Sequence, residues 1–157
     1  MKRTLHWIVM FPFCIMVLLA SCKRVTVEAN DNPQGYADSQ VVGSWKITSI
    51  KSDKAYDWDG NGVSETDILG TFTECSKDML FTFEPNKTGV YKLNCSITKN
   101  GTWQIINTQH LVWQAEGGSA QQEQLANMTS NKFNTIRKVQ FTLGGDIYTV
   151  TTTWERQ

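Results

Sequence analysis

The sequence reads as an antiparallel all-β domain, and three observations predict this. From Val41 onward, apolar and polar residues alternate with a period of two. Short breaks rich in Gly, Asn and Pro separate the alternating runs. No apolar run at helical spacing is long enough for the crossover that parallel strands need. About eight short strands would close into a barrel, which removes exposed edges; a two-sheet β-sandwich is the alternative.

The elements follow in order. Val41 to Ile50 sets Trp45 and Ile47 against Ser44, Lys46 and Thr48, as a half-buried strand does. Met79 to Glu84 is a second strand, ended by Pro85-Asn86. Gly89 to Cys95 is a third, with Tyr91, Leu93 and Cys95 on one face. Asn100-Gly101 is a hairpin signal before the strand Thr102 to Ile106. Gln109 to Gln114 carries Leu111 and Trp113 on one face. Gly117 to Asn131 holds helix formers with few apolar positions, and is expected to be a loop with one or two helical turns. Arg137 to Leu143 alternates again, Gly144-Gly145 turns the chain, and Asp146 to Trp154 returns as a terminal hairpin.

Residues 1–21 form a targeting segment rather than part of the fold. Lys2 and Arg3 precede an apolar run, Ile8 to Leu19, that is broken at Pro12 and too short to span a bilayer. It ends in Leu19-Ala20-Ser21-Cys22, which resembles the lipobox of bacterial lipoproteins. The resemblance implies cleavage before Cys22, lipid on its sulfur (palmitate among the acyl chains) and a cell-envelope, outer-membrane location. A plain secretory signal is the alternative. Residues 22–40 are polar, include Asn30-Asp31-Asn32-Pro33, and read as a flexible tether; residues 41–157 form the domain.

Cleavage would leave 136 residues with 13 basic and 15 acidic side chains. That near-neutral balance, without a basic stripe, speaks against nucleic-acid partners. It also speaks against electrostatic adhesion to a membrane, so contact with the membrane would run through the lipid anchor. Cys14 leaves with the signal and Cys22 takes lipid. Cys75 and Cys95 remain as an even pair in an oxidising compartment, and a disulfide is expected, with two buried free thiols as the alternative.

Gly43-x-Trp45 opens the first strand, and the triplet recurs at Gly101-x-Trp103. Between them lie Asp57-x-Asp-x-Asn-Gly, Cys75-x-x-Asp78 before Leu80-x-Phe, and Cys95. This order resembles the lipocalin-like domain of Bacteroidetes lipoproteins over roughly residues 40–157. The resemblance implies a barrel in which Gly43 allows close chain approach and Trp45 plugs the closed end. A basic residue would lie over that tryptophan, with Arg156 and Arg137 both open for the role.

One segment is rich in ligand oxygens. Asp57, Asp59 and Asn61 with a glycine at position six match the first half of a calcium loop; Val63 would add its carbonyl and Asp67 a carboxylate. Position twelve is Ile68, so an EF-hand is not expected. Calcium at a barrel-mouth loop is one reading, and a solvated acidic turn the other. Catalytic patterns are nearly absent. His110 is the one histidine after residue 21, no serine elbow or phosphate loop occurs, and Asp78, Glu84 and Glu116 are scattered. The expected function is therefore non-catalytic binding of a small, apolar ligand. Its rival is a calcium-stabilised surface module contacting protein or glycan, with Trp58 as a stacking residue. A small hydrolase is the third and weakest reading. Trp45, Trp103, Trp113 and Trp154 would line a cavity or fill the core.

Overall fold

The computed structural model describes residues 35–157. The targeting segment, Cys22 and the tether to residue 34 lie outside the described residues. What is described is an antiparallel barrel. Its elements are the helical turn α1 (Asp38–Val41), β1 (Gly43–Tyr56), β2 (Glu65–Asp67), a 3-10 turn (Leu69–Thr71), the helical turn α2 (Glu74–Lys77), β3 (Leu80–Phe83), β4 (Thr88–Lys92), β5 (Thr98–Ile106), β6 (His110–Ala115), β7 (Gln121–Ala126), β8 (Lys132–Gln140) and β9 (Ile147–Arg156).

Closure depends on β1, which is long enough to serve two neighbours. Gly43 to Lys46 pair with β3, while Trp45 to Ser52 pair with β9. Strands β3 to β9 follow as a meander, so eight strands close and β2 is an addition on the far part of β1. The sandwich alternative is excluded. An irregularity at Thr48, between Ile47 and Ser49, bends β1 where it passes from one neighbour to the other.

The two ends differ. At the end where β1 begins, β3 and β9 both pair with it. Beyond Lys46 the β3 pairing stops, and the segment 57–79 runs beside β1 instead. Ile68 N donates to Ile50 O at 2.9 Å within that segment. The closed end carries the turns at 84–87, 107–109 and 127–131; the open end carries 93–97, 116–120 and 141–146.

The interior of the closed half is a packed core. Trp45, Trp154, Tyr91, Phe81, Phe83, Phe133 and Leu111 are all fully buried. Trp45 meets Phe133 edge-on at 4.6 Å, and Phe133 stacks on Trp154 at 5.5 Å. Phe81 meets Trp154 at 4.9 Å, and Phe83 meets Trp103 at 5.5 Å. Each ring removes a large apolar area from water, and edge-on pairs add to that.

Several sequence expectations are corrected. The stretch from Gln121 to Ala126 is a strand, with Glu123 and Leu125 buried in alternation. Pairing to β6 and β8 on both sides outweighs the helix propensity of its Gln, Glu and Ala residues. Asn100-Gly101 lies inside β5, and the hairpin turn sits earlier, at 93–97. There Asn94 Oδ1 accepts from Ser96 N and Ile97 N. Gly101 is a close-packing position instead: a Cβ there would lie 2.5 Å from the Tyr91 ring. Cys95 belongs to that turn and not to the face of β4. The terminal hairpin stands, although β8 begins at Lys132 and Phe141 to Leu143 belong to its turn. Residues 36–40, expected as the end of the tether, lie against the barrel, with Tyr36 packed on the core.

Candidate functional site

The entry motif forms the floor. Trp45 Nε1 donates to Val41 O at 2.7 Å. The Arg156 guanidinium lies 4.2 Å from the centre of the Trp45 ring, so the structure chooses Arg156 for the covering role. Its Nε donates to Ser130 O at 2.7 Å, Nη1 to Val42 O at 3.0 Å and Nη2 to Gln40 O at 3.3 Å. Gly43 has φ 129°, and a Cβ there would lie 2.3 Å from Arg156 Nη1. The glycine is required both by its backbone and by the approaching guanidinium. Arg137 stands far up β8 and is exposed.

Above the floor the wall turns polar. Glu123, Thr135, Thr152 and Ser52 are the buried polar side chains among the described residues. Thr135 Oγ1 donates to Glu123 Oε2, and Trp154 Nε1 donates to Thr135 Oγ1 at 3.0 Å. Trp113 packs against Phe81 at 5.0 Å and Tyr91 at 5.5 Å, yet its indole N–H is buried without a partner. Tyr91 donates its hydroxyl to Thr102 O at 2.8 Å, and burial pushes its phenol up to about 12. Leu93, Met79 and Ile50 pack against this core and are partly buried. Sequence reasoning missed Glu123 altogether, because a strand was not expected there.

The segment 57–79 runs beside the far part of β1 and is pinned by the bonded pair Cys75–Cys95. Lys92 Nζ donates to Asp78, and this holds the Asp78 carboxyl below its ordinary value. Cys95 N also donates to Cys75 O at 3.0 Å.

The acidic loop folds on itself. Asp57 Oδ1 accepts from Asn61 N at 2.9 Å, and Asp57 Oδ2 accepts from Gly62 N at 2.9 Å. Asn61 Oδ1 accepts from Val63 N at 2.7 Å. The carboxylates that gather are Asp57, Asp59 and Glu65, with an oxygen from each within 4.8 Å of the others. Asp67 is not among them and is corrected here, because its Oδ1 caps the 3-10 turn through Gly70 N. Glu65 enters because β2 pairs it with Tyr56 at the base of the loop. Trp58 N donates to Glu65 Oε1 at 3.1 Å, and Trp58 Nε1 to Glu65 O at 3.2 Å.

Beside the loop, Tyr56, Trp58, Phe141 and Tyr148 form a second aromatic cluster outside the core. Tyr56 stacks on Phe141 at 4.5 Å and meets Trp58 at 5.3 Å. Leu143, in the same hairpin turn as Phe141, is fully exposed. The outer face of β4 to β6 carries an open groove of about 470 Å³ lined by Thr88, Thr102, Gln104, Val112 and Gln114. The scattered carboxylates stay apart. Glu84 follows β3 at the closed end, and Asp78 precedes β3 at the open end. His110 faces outward on β6.

No curated protein matches the chain. A family profile described as a lipocalin-like domain matches residues 41–135, from the entry motif into β8. That match covers more than half of the sequence and coincides with a barrel whose Gly43, Trp45 and Arg156 form its floor: the chain belongs to the lipocalin-like domain family.

Proposed function

We propose that this is a lipid-anchored lipoprotein of the outer membrane, of the Bacteroidetes type, whose barrel binds a small molecule from its open end without catalysis. The fold supports a ligand-binding type of barrel, and family members are typically non-catalytic. The observation that carries the reading is the indole N–H of Trp113, buried among core rings with no acceptor among the described residues. Buried donors are almost always paired, so an unpaired one on the inner wall suits an acceptor brought by a ligand. This reading seats the ligand at the upper wall, around Trp113 and Glu123, above the packed floor.

The anchor reading rests on Cys22 and its preceding small residues. Cys22→Ser should abolish palmitate labelling and release the protein from the membrane fraction; retention there without label would overturn it. For ligand binding, the Cys22→Ser protein should show saturable changes in tryptophan fluorescence with medium-chain amphiphiles. A flat titration would contradict the reading.

The aromatic cluster at Tyr56, Trp58, Phe141 and Tyr148 favours a second reading, a surface module contacting protein or glycan. Within it, the oxygens of Asp57, Asp59 and Glu65 would take a hard cation such as calcium. Calorimetry with calcium, and a glycan screen comparing wild type with Trp58→Ala, test it. No uptake and no difference would remove it.

A further inference from the structure

The barrel wall carries a carboxylate where an apolar pocket would have none. Glu123 is 7% exposed and points inward from β7 between the outward Gln122 and Gln124. It ends a directed chain: Trp154 N–H to the Thr135 hydroxyl, and that hydroxyl to Glu123 Oε2. Both donors point toward the carboxylate, as they would to support negative charge. Its other oxygen, Oε1, takes no donor among the described residues, and no lysine or arginine among them lies within ion-pair reach.

The adjacent strand supplies the complement. In the β6–β7 ladder Leu111 faces Glu123 and Trp113 faces Gln121. Trp113 and Glu123 are therefore diagonal neighbours on the inner wall, about 7–8 Å apart. One offers an unpaired N–H and the other an unpaired carboxylate oxygen. A hydrocarbon occupant satisfies neither group and leaves the Trp113 N–H buried and unpaired. A fatty-acid head group would satisfy Trp113 but set like charge against Glu123. A protonated amine gives Glu123 both a donor and a counter-charge, and an oxygen next to that amine reaches the Trp113 N–H.

We infer that the barrel selects amphiphilic amines, with an apolar body, an ammonium head and a nearby acceptor, and discriminates against fatty-acid anions. This rests on the ligand-binding reading above and narrows it: the ligand is an amphiphile and not a plain apolar molecule.

The test titrates tryptophan fluorescence of the Cys22→Ser protein at neutral pH with dodecylamine, dodecanol and dodecanoate, each below its micelle concentration. Dodecylamine should bind at least tenfold more tightly than dodecanoate, with dodecanol between them. Glu123→Gln, which keeps an acceptor for Thr135, should bring the three within about threefold of one another. The ranking with Glu123 intact stands by itself, so a poorly folding Glu123→Gln leaves the test standing. Dodecanoate equal to or tighter than dodecylamine overturns this inference alone, as does a folded Glu123→Gln that keeps the amine preference. Absence of binding by all three overturns the ligand-binding reading with it.

Discussion

Arg156 does more than any other single side chain at the closed end. It covers the Trp45 ring and ties three carbonyls, from Ser130, Val42 and Gln40, to the last turn of β9. Arg156→Gln should cost about 1–2 kcal/mol, the lower part of the range for a cation–π contact plus charged hydrogen bonds at an exposed site, read from urea unfolding. Arg137→Gln, on the exposed part of β8, should change stability by less than about 0.5 kcal/mol. Tyr91 gives a second residue-scale prediction. Its phenol is raised by burial to about 12, so the folded state holds the proton more tightly than the unfolded chain. That stability is fully present below the ordinary tyrosine value of 10 and is lost as pH climbs from there through about 12. An ultraviolet titration should show one tyrosine ionising last, and Tyr91→Phe should remove that step. At this scale the sequence was legible where the signal is local. Gly43 and Trp45 declare themselves through a short spacing, and Cys75 and Cys95 as the even pair left once Cys14 and Cys22 are accounted for. The choice of Arg156 over Arg137 needs the register of β9 on β1, which no local pattern encodes. Glu65 replaces Asp67 in the acidic cluster for the same reason.

Among the elements, β7 was the hardest to read. Its six residues contain three glutamines and a glutamate, and its alternation shows only once Glu123 and Leu125 are known to face inward. The strand holds because both edges are paired, not because its residues prefer extension. The terminal hairpin was easy by contrast, since Val139, Phe141 and Leu143 alternate before Gly144-Gly145 and Tyr148, Val150 and Trp154 share one face after it. The segment 57–79 depends on its fastenings. Its disulfide closes a loop spanning 20 residues, so Cys75→Ser with Cys95→Ser should lower stability by about 3 kcal/mol. Hydrogen exchange should speed up in this segment before it does in β5 to β8. Acid should loosen it as well. The Asp78 carboxyl is held below 3.8 by its hydrogen bond and charge pairing with Lys92, so its contribution is present above that value and fades as pH falls through the lower, folded one.

At the scale of the molecule, the barrel is asymmetric along its axis. One end is sealed by strand pairing and stacked rings; the other carries a polar wall and, beside β1, the disulfide-pinned segment. The chain enters at the sealed end, where Tyr36 N donates to Thr108 O beside the β5–β6 turn. The most direct test of the account is the indole N–H region of the nitrogen-15 proton spectrum during a titration with 2-amino-1-dodecanol, whose ammonium pairs with Glu123 while its hydroxyl oxygen accepts from Trp113. The Trp113 signal should shift strongly, while those of Trp45 and Trp103, bonded to Val41 and Glu84 carbonyls, stay in place. A titration that moves only Trp58, or moves no indole signal at all, would contradict binding inside the barrel.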